Sequence, residues 1–218
     1  MNSVTLIGVT QPTYDFDAEQ LIAYCARVSN PANQDNPDSE KLLKYLVKNK
    51  HWSPFEMVHV IMEIQTTRDI GRQILRHRSF SFQEFSQRYA AVAEMSEPRE
   101  FRLQDPKNRQ NSIEVADDEK VATKAAWEEM QRQIVNNVSE IYDWAIKKGI
   151  AKEVARSVLP EGLTMSRMYM SGSLRSWIHY CELRMGNGTQ KEHREIATQC
   201  WNIITEQFPS LKNVLENQ

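Results

Sequence analysis

Residues 54–67, PFEMVHVIMEIQTT, alternate at period two, with Val58, Val60, Met62 and Ile64 interleaved with His59, Ile61, Glu63 and Gln65. Successive side chains of an extended chain point to opposite faces, so this alternation predicts a strand, and with it a sheet. The β-branched segment 3–10, SVTLIGVT, predicts a second strand, and 163–170 a third. Most other segments carry helical stripes. Apolar residues at 21, 22, 25 and 28 predict a helix over 17–28 with Asp17 as N-cap, and those at 42, 43, 46 and 47 a helix over 40–49. A longer stripe at 121, 130, 134, 138, 141 and 145 predicts a helix over 117–148, stopped by Gly149. Shorter helices are expected at 67–78, where Thr67 can cap, and at 151–159, before Pro160. Two more follow at 173–184 and 189–208, separated by GNG, whereas 96–118 reads as irregular. The expected fold class is α/β of the mixed α+β kind. It is one helix-rich domain over 1–218 with a modest mixed or antiparallel sheet.

Composition narrows the function. A 40% hydrophobic, 26% charged chain of 218 residues suits a globular protein with one substantial core. Its net charge of −2 argues against a general nucleic-acid binder, whose surface normally carries a basic excess. No stretch reaches the roughly 18 apolar residues of a membrane span, and the N-terminus has no signal-peptide pattern. Cys25, Cys181 and Cys200 are odd in number and scattered, so a disulfide framework is not expected, and a reducing cytoplasm is. The seven glycines form neither GxGxxG nor GxxxxGK, and no CxxC, HExxH or GxSxG is present. No metal site is expected.

The chemistry concentrates in RHRSFSFQEFSQRY, residues 76–89. Before it, Arg68, Arg72 and Arg76 are spaced to share one helix face, where like charges repel unless anions answer them. Asp69 and Glu63 are candidates to answer Arg68. Arginine suits bidentate recognition of phosphate or of a heterocycle edge. From the residues alone, a small anionic-ligand pocket and a salt-bridged turn stay open, with single-stranded RNA binding behind them. The phenylalanines at 80, 82 and 85, with Tyr89, read as core or interface rather than as a stacking platform.

The spacing itself is more informative. Arg76-His77-Arg78, seven residues, then Ser86-x-Arg88 gives RHR-x7-S-x-R. This resembles the signature of the flavin-dependent thymidylate synthases, the thymidylate-synthase-complementing family. ARVSNP (26–31), KHWSPFE (50–56), EVARSVLP (153–160) and LRSWIHYCELR (174–184) with Gln190 resemble further family segments in the same order. The resemblance implies the fold of that family in a homotetramer with shared active sites. It implies conversion of deoxyuridylate (dUMP) to thymidylate, with carbon from methylenetetrahydrofolate and hydride from NADPH through FAD. It implies no nucleic-acid or membrane partner.

Roles follow from the resemblance position by position. Arg76, His77 and Arg78 match flavin-holding positions, with Arg76 also near the nucleotide, and Ser53 and Glu84 match further flavin contacts. Ser29 and His51 stand where flavin neighbours are expected. Ser173, Leu174, Arg175 and His179 match a second flavin segment. The deoxyuridylate run corresponds to Gln73, Ile74 and Leu75 with Arg76, then to Glu84, Phe85, Ser86, Gln87 and Arg88. Arg156 matches an arginine that reaches the phosphate from another subunit. Arg184 matches the catalytic arginine that contacts the uracil ring and favours its ionised form. Ser173 and His179 depart from the Asn that the family often has, and Gly188 stands where other members often carry His. A non-catalytic nucleotide- or RNA-binding module on the same fold is the alternative.

Overall fold

The computed structural model describes residues 2–92, 94–212, 214 and 215. The alternating segment forms β2 (His59–Thr67), flanked in an antiparallel sheet by β1 (Ser3–Val9) and β6 (Met165–Ser173). A short β3 (Ser81–Glu84) pairs with the far edge of β6, so the order is β1-β2-β6-β3. Directly opposed residues share a face, and the register sets Met62 against Met170 and Ile64 against Met168. All four are fully buried. The period-two reading therefore identified the correct face.

The core fills the space between that face and the helices α1 (Ala18–Ala26), α2 (Glu40–Lys48), α6 (Leu174–Arg184) and α7 (Lys191–Gln207). Trp177 of α6 lies in the centre, and its indole N–H donates to the Val60 carbonyl at 3.1 Å, so a large ring is buried without an orphaned donor. Asp17 caps α1 reciprocally. Its carboxylate accepts from the Gln20 backbone N–H at 2.8 Å, and the Gln20 side chain accepts from the Asp17 N–H at 2.8 Å.

Several boundaries differ from expectation. The helix begun at Thr67, α3 (Arg68–Ile74), stops four residues early, and the chain turns tightly through 75–80. Phe80 is the reason. Its ring lies against Gly172 of β6, where any Cβ would come within 2.5 Å, and edge-on to Trp177 at 4.8 Å. Burying Phe80 there requires the chain to leave the helix. The segment expected to be irregular contains a small hairpin, β4 (Arg102–Gln104) with β5 (Ser112–Glu114). The third strand lies about three residues later than expected, ending at Ser173.

The long helix α4 (Val121–Lys147) begins after Asp117 and Asp118, which lie in a turn. Gly149 ends it in the left-handed region, at φ 77°, with the Ile150 N–H reaching back to the Ala145 carbonyl. Gln131, Tyr142 and Ala145 face inward, while Trp127, Met130, Ile134, Ile141 and Trp144 are exposed. The short α5 (Lys152–Ala155) runs into a 3-10 turn at Arg156–Val158. Among the described residues, no helix is long and apolar enough to cross a membrane.

Candidate active site

Where β2 becomes α3, the six residues from Arg68 to Gln73 divide their charges between two directions. Arg68, only 5% exposed, donates from Nε to Glu161 at 3.2 Å and lies 3.5 Å from Glu84. Arg72, one turn on, faces the same carboxylates at 3.5 and 3.8 Å. The expected partners of Arg68 are thus corrected. Asp69 projects elsewhere and binds Arg99 at 2.8 Å, and Glu63 accepts from Gln65. One residue further along a helix is about 100° further around it, which takes Asp69 off the Arg68 face. Burial alone would raise the Asp69 carboxyl, but Arg99 and the Thr67 hydroxyl hold it below the usual range. Thr67 occupies the N-cap, yet its hydroxyl serves Asp69 rather than the helix.

Beyond the helix end the balance reverses. Arg76, Arg78 and Arg88 are exposed, and none has a carboxylate within 4 Å among the described residues. Leu75 and Phe85 are half-buried, as is Ser86, and Ile74 is in the core. Gln87 is 4% exposed, and its side-chain N–H₂ has no acceptor among the described residues. A buried donor without a partner costs about 1–3 kcal/mol, so this position suits an acceptor from outside the chain. Glu84 is held between Arg68, Arg72 and the Ser166 hydroxyl, which donates at 3.1 Å. Phe80 and Phe82 pack with the core and only Tyr89 is largely exposed, so these rings form no stacking surface.

The turn places His77 beside the end of α6. Arg184 Nε donates to His77 Nε2 at 2.8 Å. Burial and the Arg184 charge push the His77 ring down to about 4, so it is a neutral acceptor and Arg184 keeps its charge. Behind them, His77 meets Tyr180 edge-on at 4.9 Å, and Tyr180 O–H lies 3.2 Å from His193 Nε2. His193 Nδ1 is 3.4 Å from Gln73 Oε1, and Gln73 Nε2 donates to Gln190 at 2.8 Å. Tyr180 and His193 escaped the sequence reading, which treated the histidines as scattered. The usable signal was His77 four residues after Gln73, within the segment expected as one helix, and His193 three residues after Gln190.

A second group forms at the N-terminus of α6. Arg175 donates to Glu56 at 2.9 Å, and His179 packs edge-on to Trp52 at 4.6 Å while lying 3.5 Å from Glu182. The Ser173 and Arg175 side chains hold the Glu56 carboxyl below its usual range. Thus Ser173, Arg175 and His179 come together with the 51–57 segment, where Ser53 and His51 are exposed, while Leu174 is buried. Ser29 is exposed in the turn after α1 and makes no side-chain hydrogen bond within the described residues. Arg156 is half-buried, with no ion-pair partner among them. A cavity of about 420 Å³ lies between the β4–β5 hairpin and the start of α7. It includes Gln190 but none of the arginines of 76–88. Of its cations, Arg102 pairs with Glu100 and Glu192, Lys191 with Glu100 and Glu114, and Arg99 with Asp69, whereas Arg109 and Arg194 have no ion-pair partner among the described residues and Arg102 Nη1 is buried without a hydrogen-bond partner.

Residues 12–210 match the family described as Thymidylate synthase complementing protein. The chain belongs to this family. A flavin-dependent thymidylate synthase of Synechocystis sp. is 50% identical over 218 residues, covering 98% of this chain and 99% of the relative. A protein of Paramecium bursaria Chlorella virus 1, named "Probable flavin-dependent thymidylate synthase", is 48% identical over 217 residues, covering 98% and 99%. Among solved structures, a UMP/dUMP methylase PolB from Streptomyces cacaoi bound with 5-Br dUMP aligns with a TM-score of 0.79. It is 25% identical and covers all of this chain and 95% of that one. For a thymidylate-synthase-complementing protein the thiols are informative. Cys181 and Cys200 are fully buried and Cys25 partly so, and burial pushes all three thiols up, away from the nucleophilic thiolate.

Proposed function

We infer that this chain is a flavin-dependent thymidylate synthase that reductively methylates dUMP to thymidylate, using methylenetetrahydrofolate, NADPH and FAD. One observation carries the reading. Arg184 is a permanent cation bonded to a neutral histidine, beside a turn whose arginines lack anions of their own. A cation next to an acidic ring N–H favours the ring anion. The uracil ring becomes electron-rich in this way, and no enzymic thiolate is needed, in keeping with three thiols pushed up by burial.

The remaining residues have supporting roles in this reading. Arg88, Ser86 and the orphaned amide of Gln87 hold the nucleotide, and Gln73 borders it. Arg76, His77 and Arg78 hold the flavin, as do Ser53 with Glu84 and the Ser173–His179 segment. FAD held by these residues would supply the hydride-transfer chemistry between NADPH and the nucleotide; the chain contributes charge, orientation and exclusion of water. Unanswered arginines and an unpaired buried donor fit a cofactor and a substrate that both bear phosphate.

Arg156 has no ion-pair partner among the described residues, which fits a phosphate contact made in a neighbouring subunit. The exposed residues of α4 support such an assembly. Trp127, Ile134 and Ile141 repeat every seven residues, with Met130 and Trp144 three residues after the first and last of them. That spacing forms the seam of a helix–helix interface, and a homotetramer would cover it.

Absorbance and turnover test the reading together. The purified protein is expected to be yellow, to change its flavin spectrum on addition of dUMP, and to make thymidylate only with both folate and NADPH. A colourless protein that takes up no FAD overturns it.

A further inference from the structure

His193 lies on the first turn of α7, fully buried, and no role above depends on it. Both ring nitrogens have a partner: Nε2 at 3.2 Å from the Tyr180 hydroxyl, and Nδ1 at 3.4 Å from Gln73 Oε1. Burial, then Arg184 and His77, push the ring down to about 3, so it carries one N–H and one lone pair. Gln73 Oε1 can only accept. The proton therefore sits on Nδ1, and Nε2 accepts from Tyr180, whose buried phenol stays protonated.

The opposite end of the chain of bonds fixes the amide orientation on which this assignment depends. Glu192 is a carboxylate and can only accept, so Gln190 donates to it from Nε2 at 2.9 Å. That turns Gln190 Oε1 towards Gln73, where it accepts from Gln73 Nε2 at 2.8 Å. Amide orientation is ordinarily ambiguous because the two ends have nearly the same shape. Here a histidine proton at one end and a carboxylate at the other impose one sense. Gln73 is left with a single uncommitted N–H.

We propose that His193 is a positioning residue that locks the Gln73 amide, so that this position offers the nucleotide a donor and selects an oxygen acceptor on it. The proposal rests on the reading that Gln73 borders deoxyuridylate. Without the His193 proton, the amide loses its restraint on the Oε1 side and only the bond to Gln190 still orients it.

Two His193 variants of the FAD-loaded enzyme separate this role from packing. His193→Leu keeps the bulk and removes the donor. His193→Asn sets its amide N–H₂ near the place of imidazole Nδ1 and restores the donor. The leucine variant is expected to raise the KM for dUMP about tenfold, as for a lost hydrogen bond, with kcat within about threefold and flavin content unchanged. Asparagine should bring KM most of the way back. An unchanged KM in the leucine variant overturns the proposal, as does an asparagine variant no better than leucine. Should His193→Leu fail to fold, Tyr180→Phe removes only the hydroxyl that donates to His193 Nε2 and so favours the tautomer protonated on Nδ1. It should raise KM in the same direction by a smaller factor, and an unchanged KM there also overturns the proposal. Nitrogen-15 shifts of His193 in the unmodified protein give a readout independent of activity. A neutral ring protonated on Nδ1 is expected at pH 7, and a ring protonated on Nε2 or on both nitrogens refutes the proposal. Failure of dUMP to bind the unmodified protein would refute the reading of the site, while the nitrogen shifts still judge the lock.

Discussion

Arg68 and Arg72 face Glu84 and Glu161 at 3.2–3.8 Å, whereas Arg76, Arg78 and Arg88, a few residues further on, face no carboxylate among the described residues. The sequence makes these arginines look alike. The difference lies in what surrounds them. A buried arginine survives only if its charge is answered inside the chain, and Arg68 spends its donors tying α3 to β3 and to the segment before β6. The exposed arginines have no such carboxylate partner among the described residues. Arg184 stands between the two groups, half-buried, and bonded to a neutral ring instead of an anion.

The largest effect expected from this contrast is at Arg184. Arg184→Ala should lower kcat at least about a hundredfold, on the scale of removing one preorganised charge-stabilising donor, with flavin content nearly intact. Turnover within fivefold of the parent would move the ring-activating role elsewhere. Next come two variants predicted to fail differently. Arg68→Met should cost about 3 kcal/mol in urea unfolding, because it leaves Glu84 short of its buried partner. Arg88→Met should leave stability within about 0.5 kcal/mol, since it breaks no side-chain hydrogen bond or ion pair among the described residues. It should instead raise the KM for dUMP by tenfold or more, the scale of a lost bond to a charged group. Equal stability losses in both would erase the distinction.

The smallest effect is on acid stability. The His77 ring is pushed down to about 4 and His193 to about 3, both below the ordinary value near 6.5. The unfolded chain therefore takes up these protons first. Their contribution is fully present above pH 6.5 and is lost as the pH falls towards 4. The melting temperature should drop between pH 7 and 5, and His77→Gln should flatten that slope. A flat profile in the parent would contradict neutral, buried imidazoles.

Much of the scaffold was legible because it depends on neighbours in sequence. The alternation of β2, the N-cap at Asp17 and the glycine stop at Gly149 each involve residues within a few positions. The spacing RHR-x7-S-x-R was legible for the same reason. The end of α3 was not, because it is set by Phe80 finding room over Gly172, ninety-two residues away. Nor was the hairpin of β4 and β5, whose strands are three residues each and too short to show a period.

By itself, then, the sequence determined the strand faces, most helices and the family signature. Tertiary structure decided which charges are spoken for. Arg68 meets Glu161 across 93 positions, Arg184 meets His77 across 107, and Gln73 meets Gln190 across 117. Hydrogen bonding and ion pairing depend on distances of about 3 Å, and only the antiparallel sheet and its covering helices bring such distant residues that close.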